Sequence, residues 1–174
     1  MSEEKPLFSC KIFKVTERFQ TGRSGLSHKR FIVEHPGGVG ILPILDDGRI
    51  VLIRQFRTAV DQYIWEIPAG TREPGEEPRI TAARELIEET GYRAGRLVPL
   101  PSFWSSPGFL TEKIDLFLAT DLTAGESALE DGEDLTIQII DKETARAWIE
   151  SGEIKDGKTL VALLAWLGRV GIEN

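Results

Sequence analysis

The sequence predicts an α/β fold, and three observations carry that prediction. A helical segment with signals at both ends runs over residues 78–91. Short apolar runs bounded by turn residues, at 39–45, 50–56, 114–119 and 135–140, read as strands. Two more helical patterns, opened by Asp141 and Asp156, close the chain.

Composition sets the outer bounds. A chain of 174 residues is most simply one domain with a small appendage. Its 41% hydrophobic and 28% charged residues are ordinary for a globular protein. A formal charge of −7 and a pI near 5.0 argue against a general nucleic-acid or membrane binder. Cys10 is the single cysteine, which excludes a disulfide framework and fits a reducing cytoplasm. The opening MSEEKPLFSC lacks an apolar core, so no signal peptide is predicted. No apolar run approaches the roughly 18 residues of a membrane span.

From the N-terminus, residues 7–34 alternate apolar and polar positions around a loop at 21–25. They predict two or three antiparallel strands. His28 and His35 read as structural or surface histidines. Gly37-Gly38 breaks the chain, giving an N-terminal segment 1–37 and a main domain 38–174. In the run 39–45, Pro43 predicts an edge strand or a bulge. Asp46-Asp47-Gly48 is a turn. The return strand 50–56 is almost continuously apolar, so both its faces should be covered. Arg54 and Arg57 at its end are either solvated strand ends or forks for a diphosphate. Glu66, between Trp65 and Ile67, is polar in an apolar setting and should have a partner. Pro99 and Pro101 make 97–104 an edge or irregular strand. A turn follows at 105–108. In the first C-terminal helix Ala145, Trp148 and Ile149 are apolar, and Gly152 ends it. In the second, Leu160, Leu163, Leu164 and Leu167 form a core-facing stripe.

The chemistry concentrates in the central helix. Glu85, Glu88 and Glu89 stand at i, i+3 and i+4 and share one face within an arc of roughly 100°. Ile80, Ala83 and Ile87 fall opposite and would dock the helix on a core. Three neighbouring carboxylates repel by roughly a few tenths of a kcal/mol per pair. A divalent cation removes that repulsion, and hard oxygen ligands suit Mg²⁺ or Mn²⁺. Glu85 and Glu89 are the best metal ligands, with Glu88 a third.

The whole string from Gly70 to Tyr92 fits Gly-x5-Glu-x7-Arg-Glu-Leu-x-Glu-Glu-x-Gly-x, with Gly70, Glu76, Arg84, Glu85, Leu86, Glu88, Glu89 and Gly91 in place. It resembles the Nudix box, the signature of hydrolases of pyrophosphate bonds. Only Tyr92 departs, standing where an aliphatic residue is usual. The resemblance implies an α/β/α sandwich with a mixed sheet, the box helix on one face and the C-terminal helices on the other. It implies that Arg84 holds a neighbouring carboxylate, that Glu76 braces the site, and that the Ala69 carbonyl joins the metal shell.

The chain is most similar to the ADP-ribose pyrophosphatases of that family. Gln55-Phe56-Arg57, the 65–70 approach, Glu-Glu-Thr-Gly-Tyr, Ser106-Pro107-Gly108 with Pro107 at its spacing from Tyr92, and the 151–156 tail carry the likeness. It implies Mg²⁺-dependent cleavage of ADP-ribose to AMP and ribose 5-phosphate, with Arg54, Arg57, Glu66, Pro107 and Gly108 at the substrate. These enzymes carry a Glu-x-Glu in a late acidic loop. Here the pair reads Asp131-Gly132-Glu133, so Glu133 is the first candidate for the base and a metal contact, with Asp131 and Glu130 behind it. Glu88 is the candidate within the helix. The likeness also implies a homodimer built on exchanged N-terminal strands, with Phe19 or Phe31 near the partner's adenine. Three rivals stay open: a GDP-mannose type enzyme, a silent nucleotide sensor, and a triphosphate sanitiser. The intact box glutamates weigh against the second, and the N-terminal strands and Pro107 against the third.

Overall fold

A computed structural model describes residues 6–125 and 135–168. Among them, three sheets and three helices follow in chain order. Strands β1 (Phe8–Ser9), β2 (Lys14–Thr21) and β3 (Ser27–Glu34) form an antiparallel N-terminal sheet. Next come β4 (Gly38–Pro43), β5 (Ile50–Arg57), β6 (Gln62–Glu66) and β7 (Ala69–Thr71). Helix α1 (Pro78–Thr90) leads to β8 (Arg93–Pro99), β9 (Phe103–Trp104) and β10 (Lys113–Thr123). The chain closes with β11 (Leu135–Ile140), α2 (Lys142–Glu150) and α3 (Gly157–Leu167). The central sheet has the order β7-β4-β10-β8, with β9 beside β10, and the third sheet is β11-β5-β6. Because β4 and β10 are parallel while β7 and β8 are antiparallel to their neighbours, the central sheet is mixed.

Alternation along β4 divides the core between two faces. Val39 and Ile41 pack with Ala82 and Leu86 of α1, and with Phe117 and Ala119 of β10. Leu42 packs on the other face with Ile50 and Leu52 of β5, Ala145 of α2, and Ala162 and Leu163 of α3. This is the α/β/α arrangement that the sequence implied.

Three local expectations fail. Strand β4 is no edge: it lies between β7 and β10, and all six of its residues are buried. Pro43 is tolerated because it ends the strand, beyond Gly40, where pairing with β7 stops. The docking stripe of α1 is Ala82, Leu86 and Glu89, and Ile80 is 58% exposed. The hydrophobic pattern misled because a buried glutamate belongs to the docking face. In α3 the buried residues are Thr159, Ala162 and Leu163, whereas Leu164 is 55% exposed. There Thr159 accepts a bond from the Ile67 N–H at 2.8 Å and donates to Asp156 at 2.6 Å, so a hydroxyl anchors the helix.

The helix ends and turns behave as expected. Gly91 adopts φ 74°, and its N–H bonds the Ile87 carbonyl. Asp141 and Asp156 accept from the N–H groups of Thr144 and Thr159 as N-caps. At residues 46–48 the chain turns, with Gly48 at φ 83°. The turn joins two sheets, because β4 and β5 share only the bridge Ile44↔Ile50. No described helix is long and apolar enough to cross a membrane.

The N-terminal sheet meets the rest of the chain through bonds of Val33 N–H to Phe109 O (2.7 Å) and Thr111 N–H to Val33 O (2.9 Å). It exposes Phe8, Phe19 and Phe31. Its charged anchor is Glu34, within 2.7 Å of both Lys14 and Arg18. The Lys14 bond does most to hold the Glu34 carboxyl at about 2, against burial, with help from Arg18 and Thr16. A depressed acid stabilises the fold above its unfolded pKa and loses that contribution as pH falls. Glu34→Gln should therefore lower Tm by about 2–4 °C at pH 7. The gap should close between pH 4.5 and about 2. Thermal melts of both proteins across that range check it.

Candidate active site

A cleft of about 960 Å³ opens where α1, β5, β7 and the start of α3 meet. Its acidic wall is Glu85, Glu88 and Glu89 of α1. Arg57 of β5 and Lys158 of α3 line it as well, together with Gln55, and Lys11 and Ile12 reach it from the N-terminal segment.

Arg84 organises the acidic wall. One of its guanidinium nitrogens lies 2.8 Å from Glu85 and 2.9 Å from Glu88, and the other is 3.5 Å from Glu76. Burial opposes the Arg84 charge, but these carboxylates outweigh it and raise its pKa. Glu76 also accepts the Glu73 N–H, the largest of the influences that lower its pKa. Glu89 is only 4% exposed and accepts the Ala69 N–H at 2.9 Å. Thus one guanidinium and one backbone amide hold the wall together.

Gly70 explains why the box begins with glycine. A Cβ at this position would fall on the Glu85 carboxyl group. Glu85 therefore lies flat against the β7 backbone, a cradle that any side chain would fill. Gly70→Ala should displace the Glu85 carboxylate while leaving the core intact. The expected result is a loss of roughly tenfold or more in kcat with a Tm change below about 2 °C, checked by kinetics and melting on the same preparation.

Among the described residues no three acidic, histidine or cysteine side chains converge as a ready-made metal cage. The donor set still fits a hard divalent cation. Four carboxylates, Glu76, Glu85, Glu88 and Glu89, face the single guanidinium of Arg84 in this wall, which leaves negative charge uncompensated. Their oxygens are the ligand type that Mg²⁺ and Mn²⁺ take.

The basic side is tied from behind. Glu66 is 1% exposed and receives two bonds from Arg57, at 2.6 and 2.8 Å. It also pairs with Lys158, which lies 3.1 Å from Asp156. Burial is the largest influence on Glu66 and pushes its pKa up, but Arg57 and Lys158 together bring it below the ordinary value. Glu66 thereby fixes two cations at the rim of the cleft.

Of the residues singled out in the sequence, the fold brings Arg57, Ala69, Arg84, Glu85, Glu88 and Glu89 into one cleft. Glu66 stands directly behind it. Arg54 lies elsewhere, its guanidinium 5.0 Å from the Tyr63 ring centre and 5.6 Å from that of Trp65. Pro107 and Gly108 are not among the lining residues, although nearby Ser105 is. Glu130, Asp131 and Glu133 lie outside the described residues. Sequence reasoning missed Lys158. The signal was available, because a buried Glu66 beside one arginine invites a second cation, and Asp156-Gly157-Lys158 directly follows the tail that carried the likeness.

Comparison with known proteins agrees with this geometry. A profile described as the NUDIX domain matches residues 34–164. The chain is 40% identical over 162 residues to an ADP-ribose pyrophosphatase of Bacillus subtilis (strain 168), covering 92% of this chain and 88% of that one. It is 39% identical over 159 residues to a methanol dehydrogenase activator of Bacillus methanolicus, covering 90% and 86%. Among solved structures, an ADP compounds hydrolase superposes with a TM-score of 0.80 at 25% identity, covering 97% of this chain and 95% of that chain. With the box residues gathered in one cleft and the profile spanning most of the chain, the protein belongs to the Nudix family and is a Nudix hydrolase.

Proposed function

We propose that the protein hydrolyses the diphosphate bond of a nucleoside diphosphate sugar, ADP-ribose before others, releasing AMP and ribose 5-phosphate. One observation carries this reading: a single cleft sets the glutamate wall of α1 against Arg57 and Lys158. Diphosphate hydrolysis needs that pairing of charges. The cations attract and orient the phosphoryl oxygens, and Glu66 keeps both aimed. Glu85, Glu88 and Glu89, with the Ala69 carbonyl and Glu133, are the residues to hold Mg²⁺, with Mn²⁺ as a substitute. When bound, the cation neutralises phosphoryl charge and lowers the pKa of water. Arg84 keeps the glutamates in register. Glu133 takes the proton from the attacking water, with Asp131 and Glu88 next in line.

The test is a panel of nucleoside diphosphate sugars with Mg²⁺, products resolved. ADP-ribose should give the highest kcat/KM. A higher value for GDP-mannose would move the assignment to that sister activity, and no turnover of any compound would reject the reading.

We further propose that residues 1–37 form a dimerisation element on the hydrolase domain 38–174, and that the enzyme works as a cytoplasmic homodimer. Phe8, Phe19 and Phe31, exposed on a three-stranded sheet, support this because such apolar strands are rarely left bare. Exchanged strands would bring Phe19 or Phe31 to the partner's nucleotide. Light scattering should give about twice the 19.4 kDa chain mass at micromolar concentration. An active, monodisperse monomer would refute the exchange.

A further inference from the structure

Among the described residues, one buried side-chain oxygen or nitrogen lacks a hydrogen-bond partner: Oε1 of Gln55. Gln55 lies on β5, paired with Ile64 on one side and Leu135 on the other. It shares its strand face with Ile53 and Arg57, and both Gln55 and Arg57 line the cleft. A buried acceptor without a donor is costly, and native proteins keep few of them. Where one persists at a binding cleft, the missing donor is expected on the ligand.

The chemistry of the acceptor restricts that donor. An amide oxygen repels an ionised phosphate, which offers only acceptors. It also sits roughly 7 Å along the strand from the Arg57 position, where a second cation would be disfavoured. A neutral O–H or N–H remains. We propose that Gln55 is a specificity-determining residue that accepts a hydrogen bond from a neutral donor of the substrate, a sugar hydroxyl lying beside the diphosphate held by Arg57. The inference rests on the diphosphate-sugar reading of the cleft. Sites that hydrogen-bond a substrate hydroxyl discriminate strongly against analogues lacking it.

The test replaces the amide by an apolar side chain of similar length, Gln55→Met. The probes are ADP-ribose and the β-methyl ester of ADP, which lacks the terminal sugar. For ADP-ribose the variant should lose about tenfold in kcat/KM, and about tenfold in calorimetric Kd measured in a chelator. Its Tm should stay level or rise by up to about 4 °C, because an unsatisfied group has been removed. A structural glutamine would do the reverse and lower Tm. Loss with ADP-ribose but not with the methyl ester assigns the donor to the terminal sugar, and equal loss with both assigns it to the nucleoside half. Unchanged kinetics and Kd, or a clear fall in Tm, would overturn the proposal. Should the wild type hydrolyse no nucleotide sugar, the activity assignment fails, while the Kd comparison still decides the role of Gln55.

Discussion

Glu85→Gln and Glu89→Gln should each lower kcat by roughly 100-fold or more, the size expected for loss of a strong electrostatic stabiliser. Both exchanges keep size and an acceptor oxygen but remove one charge. For Glu89 the Ala69 N–H retains its partner, so folding should change little. For Glu85 the amide still fits against Gly70, but its bond to Arg84 weakens. Steady-state kinetics at saturating Mg²⁺, with calorimetric titration of Mg²⁺, separates the two contributions. Weaker metal affinity at unchanged Tm is the expected signature. A change below about threefold in both variants would mean that the wall is only a solvated face.

Glu133→Gln should be comparably damaging, with a fall of roughly 10²-fold or more in kcat, in the range of general-base loss. The argument is electrostatic. A carboxylate committed to a cation makes a poor base, because positive charge lowers its pKa. The helix glutamates are so committed, and the segment Glu130-Asp131-Gly132-Glu133-Asp134 is the dense acidic stretch after the box. Gly132 gives that stretch freedom to close over substrate. KM should change little, and Asp131→Asn should cost less. A crippling Asp131→Asn beside a near-normal Glu133→Gln would reverse the roles. Normal rates in both would move the base into α1, with Glu88 first.

What the sequence conveyed, and where it misled, follows from which forces local patterns record. Caps, turns and the box are local, so Asp141, Asp156, Gly91 and the 46–48 turn were legible. The box also located the acidic wall, because its spacing is a helix period. Docking faces were less legible, because partners distant in sequence decide them. Glu89 is buried by an amide from β7, and Thr159 by an amide that follows β6. A hydrophobicity pattern scores both residues as outward. Pro43 misled for a similar reason, since its cost depends on where the neighbouring strand stops. Lys158 was invisible because its role appears only when Glu66 is seen between it and Arg57. The orphan oxygen of Gln55 is likewise a property of the assembled cleft.

The central claim is that the glutamate wall and the Arg57–Lys158 side of one cleft cleave a diphosphate with a divalent cation. Its most direct test is hydrolysis of ADP-ribose by the full chain, with products resolved, in Mg²⁺ and in excess EDTA. The account predicts AMP and ribose 5-phosphate in Mg²⁺, no turnover in EDTA, and recovery when Mg²⁺ or Mn²⁺ is restored. Undiminished turnover in the chelator would contradict it.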